Sequence, residues 1–308
     1  YLSKLKFWEE VNASLICIAD GTLLESRSKI LGLKLKFLEL YKLEDAQKNK
    51  IGVVQFIKIA DCQDTRPGKL NIKNAKYVIK NLDFGISEAN KNKKIALVTG
   101  PIQKSNIING GFKNFQGHTE WIKKKTKSKN VVMLLSSKKI SVALATTHIP
   151  LAEVAKNIQK SKLIKLIQIL HLGLQKKLKI KNPSITVLGL NPHAGENGKI
   201  GAEEIKKINP AIKVCKEMGI NASYAISADT AFNVKKLKQT DAYLAMYHDQ
   251  ALPVLKALSF GEAVNITLGA PIVRTSVDHG TAIDIAGKIK PNLGSIKEAI
   301  KAAEIQLQ

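Results

Sequence analysis

Cysteine, arginine and long apolar runs are all scarce in this chain of 308 residues. The three cysteines, Cys17, Cys62 and Cys215, are far apart and outside any CxxC pair, which argues against a disulfide framework and a thiolate zinc site. No window approaches the roughly 18 to 20 apolar residues of a membrane span. No signal-peptide pattern opens the sequence. These absences predict a soluble, cytoplasmic, globular protein with no membrane partner.

Basic residues are abundant, but nearly all of them are lysine. Lysine and arginine number 49 against 25 aspartates and glutamates, a formal net charge of +24, and only Arg27, Arg66 and Arg274 are arginine. A basic surface can attract phosphate backbones without reading a base sequence. The lysines are spread along the chain, however, and no RNP-like aromatic stripe, zinc finger or helix-turn-helix pattern accompanies them. We therefore predict a solvated lysine face and no nucleic-acid partner, with a lysine-rich nucleic-acid-binding protein as an alternative.

Short apolar, β-branched runs alternate with segments of helical periodicity. The runs that predict buried strands include VVQFIKIA at 53–60, SVALA at 141–145, ITVLGL at 185–190, YAIS at 224–227, AYLAM at 242–246 and VNITL at 264–268. The segments with apolar residues at three- and four-residue spacing include 151–180, 202–218 and 294–306. Alternation of this kind predicts an α/β fold.

Three histidines, His148, His193 and His248, each stand just past a different predicted strand. In open α/β sheets the loops beyond the carboxyl ends of the strands converge, so these residues can meet despite their separation in sequence. Neutral imidazoles suit zinc and other divalent transition metals, and three protein ligands leave one position open for water or substrate. A single such histidine would more often be a loop side chain bonded to a carbonyl. Three in matching positions predict a metal site.

Two acidic residues in the same loops each have two interpretations. Asp249 follows His248 directly, so it could support the metal site or cap a helix at 250–259. Asp229 could act in the site or cap a helix that begins near Thr230.

Residues 109–120, NGGFKNFQGHTE, combine glycines with His118 and Thr119, whose donors suit phosphate oxygens. Neither GxxxxGK[ST] nor GxGxxG occurs, so those two nucleotide-binding modes are unsupported. Arg274 is a second candidate because its planar fork binds carboxylate or phosphate in a way that lysine cannot reproduce. Lys104 is a third. Together these residues favour an anionic ligand, while a glycine-rich surface turn remains the alternative for 109–120.

Six segments together resemble the 4-hydroxythreonine-4-phosphate dehydrogenase family of pyridoxal 5'-phosphate biosynthesis. They are GHTE at 117–120, ATTHIPL at 145–151, LNPHAGENGKIGAEE at 190–204, ADT at 228–230, YHDQALPVLK at 247–256 and VNITLGAPIVRTSVDHGTAIDIAGK at 264–288. The resemblance implies a two-domain α/β fold similar to isocitrate and isopropylmalate dehydrogenases, with a cleft between the domains. We expect a discontinuous outer domain of residues 1–100 and 258–308, and a central metal-binding and dimerisation domain of residues 101–257.

The resemblance also implies roles for the motif residues. It makes His148, His193 and His248 the ligands of a divalent metal, which could be zinc, magnesium or cobalt. It implies substrate contacts by His118, Thr119, Lys256, Asn265 and Arg274. It assigns NAD or NADP binding to Asp278, His279, Gly280 and Thr281. It further implies a homodimer whose active site receives residues from both subunits.

The implied reaction is the oxidation of 4-phosphohydroxy-L-threonine to 2-amino-3-oxo-4-phosphooxybutanoate, which decarboxylates to 3-amino-2-oxopropyl phosphate. A Lewis-acidic metal at the substrate hydroxyl and a hydride-accepting nicotinamide suit this chemistry. Asp229, Asp249 and a metal-bound hydroxide are the candidate general bases. A threonate or erythronate 4-phosphate dehydrogenase would share every motif. A metal-dependent hydrolase or lyase could use the same histidines without reducing nicotinamide.

The first residues depart from the family pattern. Family members usually open with a strand and a glycine-rich GDPxGIG-like loop, and nothing before Lys50 resembles that loop. Because the chain starts at Tyr1 rather than Met, we expect that an N-terminal piece is absent from this sequence.

Overall fold

The computed structural model describes residues 2–288 and 291–308. The chain divides into two compact units, which we call the first unit (Tyr1–Lys127 and Ile272–Gln308) and the second unit (Ser128–Pro271). The α/β class predicted from the sequence is confirmed. The expected domain boundaries at residues 100 and 257, and the cleft, stay predictions. Over the described ranges, no helix is both long enough and apolar enough to cross a membrane.

Strands and helices alternate along most of the chain. The strands are β1 (Ile16–Ile18), β2 (Lys36–Glu39), β3 (Val53–Ile57), β4 (Ala96–Thr99), β5 (Val132–Ser136), β6 (Ser141–Leu144), β7 (Ile185–Val187), β8 (Ala242–Ala245), β9 (Val264–Leu268) and β10 (Val273–Val277). The α-helices are α1 (Phe7–Glu10), α2 (Gly21–Ile30), α3 (Ala75–Lys91), α4 (Lys104–Asn109), α5 (His118–Lys125), α6 (Val154–Asn157), α7 (Lys160–Lys177), α8 (Asn209–Glu217), α9 (Ala228–Ala231), α10 (Val234–Gln239), α11 (His248–Ser259) and α12 (Gly294–Leu307).

In the first unit, β1, β3 and β2 form a parallel sheet in that order, and β4 pairs in parallel with β10. Helix α12 packs on β4 and β10, and the Thr275 hydroxyl donates a hydrogen bond to the Ala299 carbonyl oxygen at 2.7 Å. Arg274 lies opposite Leu97 in the β10–β4 register. The register therefore places an arginine inside a buried pair of strands.

The second unit has the strand order β9-β5-β6-β8-β7. Strands β6, β8 and β7 run parallel to one another, while β5 is antiparallel to both of its neighbours. Every residue of β7 and β8 is buried, including Thr186, as their predominantly apolar sequences predict. The carboxyl ends of β6, β8 and β7 therefore lie side by side at one edge of the sheet.

The structure corrects three details of the predicted elements. The helical segment 151–180 is interrupted, since α6 ends at Asn157 and α7 begins at Lys160. The segment 202–218 contains a π-helical turn, Glu204–Ile208, before α8. In place of a strand, YAIS at 224–227 contributes one isolated bridge, from Ile226 to Leu188, the residue that follows β7.

Candidate active site

Three segments that carry histidine follow the adjacent strands β6, β8 and β7. They bear His148, His248 and His193 respectively. The ring centres of His148 and His248 are 5.7 Å apart, with an angle of 44° between the ring planes. His148 and His193 are exposed, and His248 is half-buried. The prediction that the histidines follow neighbouring strand ends is consistent with this topology.

The imidazole nitrogens of His148, His193 and His248 are suitable ligands for a divalent metal, and part of their geometry agrees with such a site. Two imidazoles on one tetrahedral zinc hold their ring centres about 5 Å apart, since each nitrogen lies roughly 2 Å from the metal. The separation of His148 and His248 agrees with that value. Within residues 2–288 and 291–308, however, no three His, Cys, Asp or Glu side chains form a cluster that could hold a metal. The structure thus brings two of the three predicted ligands together, and the complete site stays a prediction.

Asp249 contacts the ring of His248 rather than capping the helix. Helix α11 begins at His248, with Tyr247 as its N-cap residue, so the sequence-based interpretation of Asp249 as the cap of a helix at 250–259 is wrong. The Asp249 Oδ1 atom lies 2.7 Å from His248 Nδ1. If Nδ1 carries the proton and its N–H donates a hydrogen bond to this carboxylate, the lone pair of Nε2 is available to a metal.

His193 opens a left-handed turn of the backbone. The φ angles of His193, Ala194, Glu196 and Asn197 are 52°, 51°, 42° and 56°, and Gly195 between them has a φ of 79°. Each non-glycine residue in this region costs about 1–2 kcal/mol. Strain of this kind persists only where the surroundings enforce it, and it concentrates at functional sites. The turn therefore marks His193 as a residue held in place by other contacts.

The buried carboxylate of Glu204 supplies part of that enforcement. Its side chain accepts hydrogen bonds from the backbone N–H groups of Leu190 and Asn191 at 2.7 and 2.8 Å, and from Asn191 Nδ2 at 2.9 Å. Only 1% of Glu204 is exposed. A Cβ atom at Gly195 would lie 2.6 Å from Glu204 Oε2, so only glycine fits there. Sequence reasoning missed Glu204, although it ends the segment LNPHAGENGKIGAEE.

Asp229 lies in the first turn of α9, which begins at Ala228 rather than near Thr230. The Ser227 hydroxyl donates to Asp229 Oδ1 at 2.5 Å. This hydrogen bond, with a smaller contribution from the charge of His193, lowers the pKa of the Asp229 carboxyl. The exposed carboxylate is therefore ionised at neutral pH and can accept a proton, although a lowered pKa makes it a weak base.

The first unit places a cluster of basic side chains beside Arg274. The guanidinium is 2% exposed and donates to the Thr99 hydroxyl at 2.7 Å. Burial lowers the pKa of Arg274 to about 10, and the nearby Glu120 carboxylate acts in the opposite direction. Arg274 is therefore a buried cation at neutral pH. Such a cation is costly to bury, and an anionic ligand would offset that cost.

His118, the first residue of α5, faces the same charges. Burial, followed by the positive charges of Arg274 and Lys104, lowers the pKa of His118 to about 3. The imidazole is therefore neutral at physiological pH and donates a single N–H. Thr119 is the next residue of α5, at the helix N-terminus, where backbone N–H groups favour anions. We predict that Lys104, His118, Thr119 and Arg274 bind an anion, and we call these four residues the anion pocket.

Two predicted substrate contacts lie in the second unit. Lys256 is half-buried on α11. Asn265 lies on β9 opposite Leu135, and its Oδ1 atom is buried without a hydrogen-bond partner in the described part of the chain. An amide can donate or accept hydrogen bonds, and an unsatisfied buried polar atom is rare in a native protein. Its substrate contact stays a prediction.

The predicted cofactor loop connects β10 to α12. The Asp278 N–H donates to the Ser295 hydroxyl at 3.0 Å, and the Thr281 hydroxyl donates to Gln103 Oε1 at 3.1 Å. His279 and Gly280 are exposed. Because Gln103 directly precedes α4, the loop is joined to the segment that carries Lys104. Accessible backbone at this position fits a nucleotide, and the assignment of these residues stays a prediction.

Known proteins of one family are similar to this chain along nearly its whole length. The family profile described as "Pyridoxal phosphate biosynthetic protein PdxA" matches residues 10–303. The 4-hydroxythreonine-4-phosphate dehydrogenase of Pseudoalteromonas translucida (strain TAC 125) is 44% identical over 301 residues, which cover 96% of this chain and 91% of the relative. The enzyme of that name from Chromobacterium violaceum is 44% identical over 292 residues, covering 95% and 88%. The crystal structure of the Klebsiella pneumoniae enzyme superposes with a TM-score of 0.87 at 28% identity, covering 97% and 90%.

Proposed function

Since the chain belongs to the PdxA family of pyridoxal phosphate biosynthetic proteins, we propose that it is a 4-hydroxythreonine-4-phosphate dehydrogenase. Its substrate is 4-phosphohydroxy-L-threonine, and its electron acceptor is NAD or NADP. The observation in this chain that best supports the proposal is the anion pocket. A buried Arg274 beside a neutral His118 suits a substrate with a phosphate at one end and a carboxylate at the other.

The anion pocket binds one anionic end of the substrate. Arg274 presents a planar fork that can donate two parallel hydrogen bonds, and its burial strengthens them because water cannot compete. Lys104 adds a second positive charge. His118 and Thr119 add neutral donors at the start of α5. In the second unit, Lys256 and Asn265 are proposed as further substrate contacts. Binding of this kind fixes the carbon that is oxidised.

His148, His193 and His248 would hold a divalent metal, which could be zinc, magnesium or cobalt. A bound metal would supply Lewis acidity for the oxidation, and a nicotinamide cofactor held by Asp278, His279, Gly280 and Thr281 would accept the hydride. Asp249 holds the His248 ring in one orientation through Nδ1. The hydroxyl proton passes to a base, for which Asp229 and Asp249 are the proposed candidates.

The oxidised substrate is a 3-oxo acid, 2-amino-3-oxo-4-phosphooxybutanoate. Its ketone can accept the electron pair of the breaking carbon–carbon bond, so loss of CO2 leaves an enolate, which takes up a proton to give 3-amino-2-oxopropyl phosphate. We include this step in the proposal, together with a cytoplasmic homodimer whose active site receives residues from both subunits.

The test is a substrate panel followed by the absorbance of the reduced nicotinamide. NAD+ and NADP+ are each supplied with 4-phosphohydroxy-L-threonine, with the unphosphorylated amino acid as control, and with threonate and erythronate 4-phosphate. We expect reduction with the phosphorylated amino acid, loss of it on chelation, and very weak reduction without the phosphate. If the nicotinamide is reduced only with the sugar-acid phosphates, one of these is the substrate instead of 4-phosphohydroxy-L-threonine. If none of the compounds leads to its reduction, the proposed dehydrogenase activity is wrong.

A further inference from the structure

The three histidine segments of the second unit meet at the backbone of Met246. The Thr146 hydroxyl donates to the Met246 carbonyl oxygen at 2.7 Å. The Met246 N–H donates to Gln250 Oε1 at 2.7 Å, and Gln250 Nε2 donates to the Gly189 carbonyl oxygen at 2.6 Å. We call these three bonds the Met246 bridge.

Each end of the Met246 bridge lies within four residues of one of the histidines. Thr146 stands two residues before His148, and Met246 stands two residues before His248. Gly189 precedes His193 in the segment that leaves β7. Two side chains therefore connect all three segments, and the Thr146 N–H adds a backbone bond to the same Met246 carbonyl oxygen at 3.2 Å.

The bridge continues the sheet beyond the point where its strands end. The bonds between β7 and β8 extend to Leu188, whose N–H donates to the Leu244 carbonyl oxygen at 2.9 Å. One residue further along, the Gln250 amide spans from Met246 to Gly189. Beyond the ends of β7 and β8, the Gln250 side chain thus joins the two segments as backbone hydrogen bonds join the strands within the sheet.

The Gln250 amide can take only one orientation in this bridge. Its oxygen faces an N–H and its nitrogen faces a carbonyl oxygen. Rotation of the amide by half a turn would set donor against donor and acceptor against acceptor. Met246 is fully buried and Thr146 is 9% exposed, so water cannot readily replace the lost bonds. The bridge therefore fixes the distances between the backbones of the three segments.

We propose that Thr146 and Gln250 are positioning residues that set the spacing of the three histidines. Thr146 sets His148 relative to His248, and Gln250 sets His193 relative to His248. The inference rests on the proposed function, because it assumes that these histidines act together. Catalytic and metal-binding groups must be held within about 0.5 Å of their productive geometry, and supporting contacts provide that precision.

The experiment compares isosteric variants with matched controls. Thr146→Val removes the hydroxyl and Thr146→Ser retains it, while Gln250→Met removes both amide bonds. Thr186→Val is the threonine control, since the buried Thr186 hydroxyl bonds to Thr240 in the same unit. Gln168→Met is the glutamine control, since the Gln168 amide, on α7, contacts the sulfur of Met218 directly after α8 and takes no part in the bridge.

Cobalt(II) is the metal probe, because its visible spectrum reports the ligands around it. We expect T146V and Q250M to bind cobalt about 10- to 100-fold more weakly, the range found for supporting residues. T146S, T186V and Q168M should bind it as the wild type does. For turnover, kcat should fall in T146V and Q250M more than KM rises. Loss of thermal stability in T186V without loss of cobalt affinity separates positioning from general stability.

A second readout does not depend on metal. In the metal-free protein, the proton NOE between the rings of His148 and His248 should be lost in T146V and kept in T186V, and exchange of the Met246 amide should accelerate in Q250M. Unchanged cobalt affinity, or an unchanged NOE and amide exchange, overturns the inference. If the wild type binds no cobalt, the proposed metal site fails, and the NOE and the amide exchange still decide the role of the bridge. Absence of nicotinamide reduction with normal cobalt binding would overturn only the proposed reaction.

Discussion

The protonation of His118 provides a quantitative test of the anion pocket. The pKa of this histidine is lowered from 6.5 to about 3, first by burial and then by the charges of Arg274 and Lys104. Each pKa unit corresponds to about 1.4 kcal/mol, so the protonated ring is disfavoured in the folded protein by up to about 5 kcal/mol. The perturbation is His118→Gln, which retains a hydrogen-bonding side chain and cannot take up the proton.

The sign of the effect follows from the direction of the shift. The folded pKa lies below the unfolded value, so the folded protein resists protonation and the unfolded chain does not. The contribution of His118 to stability is fully present above the unfolded pKa of 6.5 and is lost as the pH falls towards 3. At pH 4 the wild type should have lost about 3 kcal/mol from this residue alone. H118Q should lack that loss.

Urea unfolding measures the difference, and the chain supplies a local probe. Its two tryptophans, Trp8 and Trp121, both lie in the first unit, so their fluorescence reports on the unit that contains His118. We expect the stability of the wild type to fall more steeply than that of H118Q between pH 7 and pH 4. Equal slopes would refute the reasoning. A ring titration of His118 by NMR with a midpoint near 6.5 would refute it as well.

Phosphate supplies the second arm of the same test. An anion bound among Arg274, Lys104 and His118 offsets the two positive charges and thus raises the pKa of the imidazole. Proton uptake then accompanies binding, so phosphate affinity should increase as the pH is lowered towards the free-protein pKa. The NMR midpoint of His118 is measured with and without inorganic phosphate. An identical midpoint under both conditions would place the anion elsewhere.

Three further outcomes are expected from single substitutions. Replacing His148, His193 or His248 with alanine should lower the metal content and abolish turnover, and normal metal stoichiometry in all three variants would refute the assignment. Arg274→Lys should raise KM about 10- to 100-fold because the fork that donates two bonds is lost, which steady-state kinetics with a circular-dichroism check of folding will measure. Glu204→Gln should lower the free energy of unfolding by about 1–3 kcal/mol, because the NH2 group of the glutamine would face an N–H donor that now bonds to a carboxylate oxygen. An unchanged urea midpoint would contradict this.

The positions of the histidines were predictable, because they depend on local sequence. Buried strands are recognisable from apolar, β-branched runs, and the carboxyl ends of parallel strands meet at one edge of a sheet. The order β6-β8-β7 and the residues that follow those strands agree with that reasoning. The break between α6 and α7 was not predictable, since the apolar spacing continues across it.

The local geometry of the candidate site depends on contacts between distant residues. The left-handed turn at His193 has no glycine at its first position, and nothing in its own sequence requires that conformation. It is supported by Glu204, which single-sequence reasoning does not connect to Leu190 or Asn191. The low pKa of His118 likewise depends on Arg274, which lies on a strand near the other end of the chain.

The choice of arginine at position 274 can be understood from the lysine-rich composition. Only three of the 49 basic residues are arginine, so a lysine would be the expected cation at an ordinary surface position. At 2% exposure the site is not ordinary, since burial disfavours any charged form. Arginine starts from a higher pKa and retains its charge here, with a pKa of about 10. A lysine in the same place would start about two units lower and be closer to losing its proton at neutral pH. Arginine is therefore the side chain that keeps its positive charge more securely than lysine at this buried position.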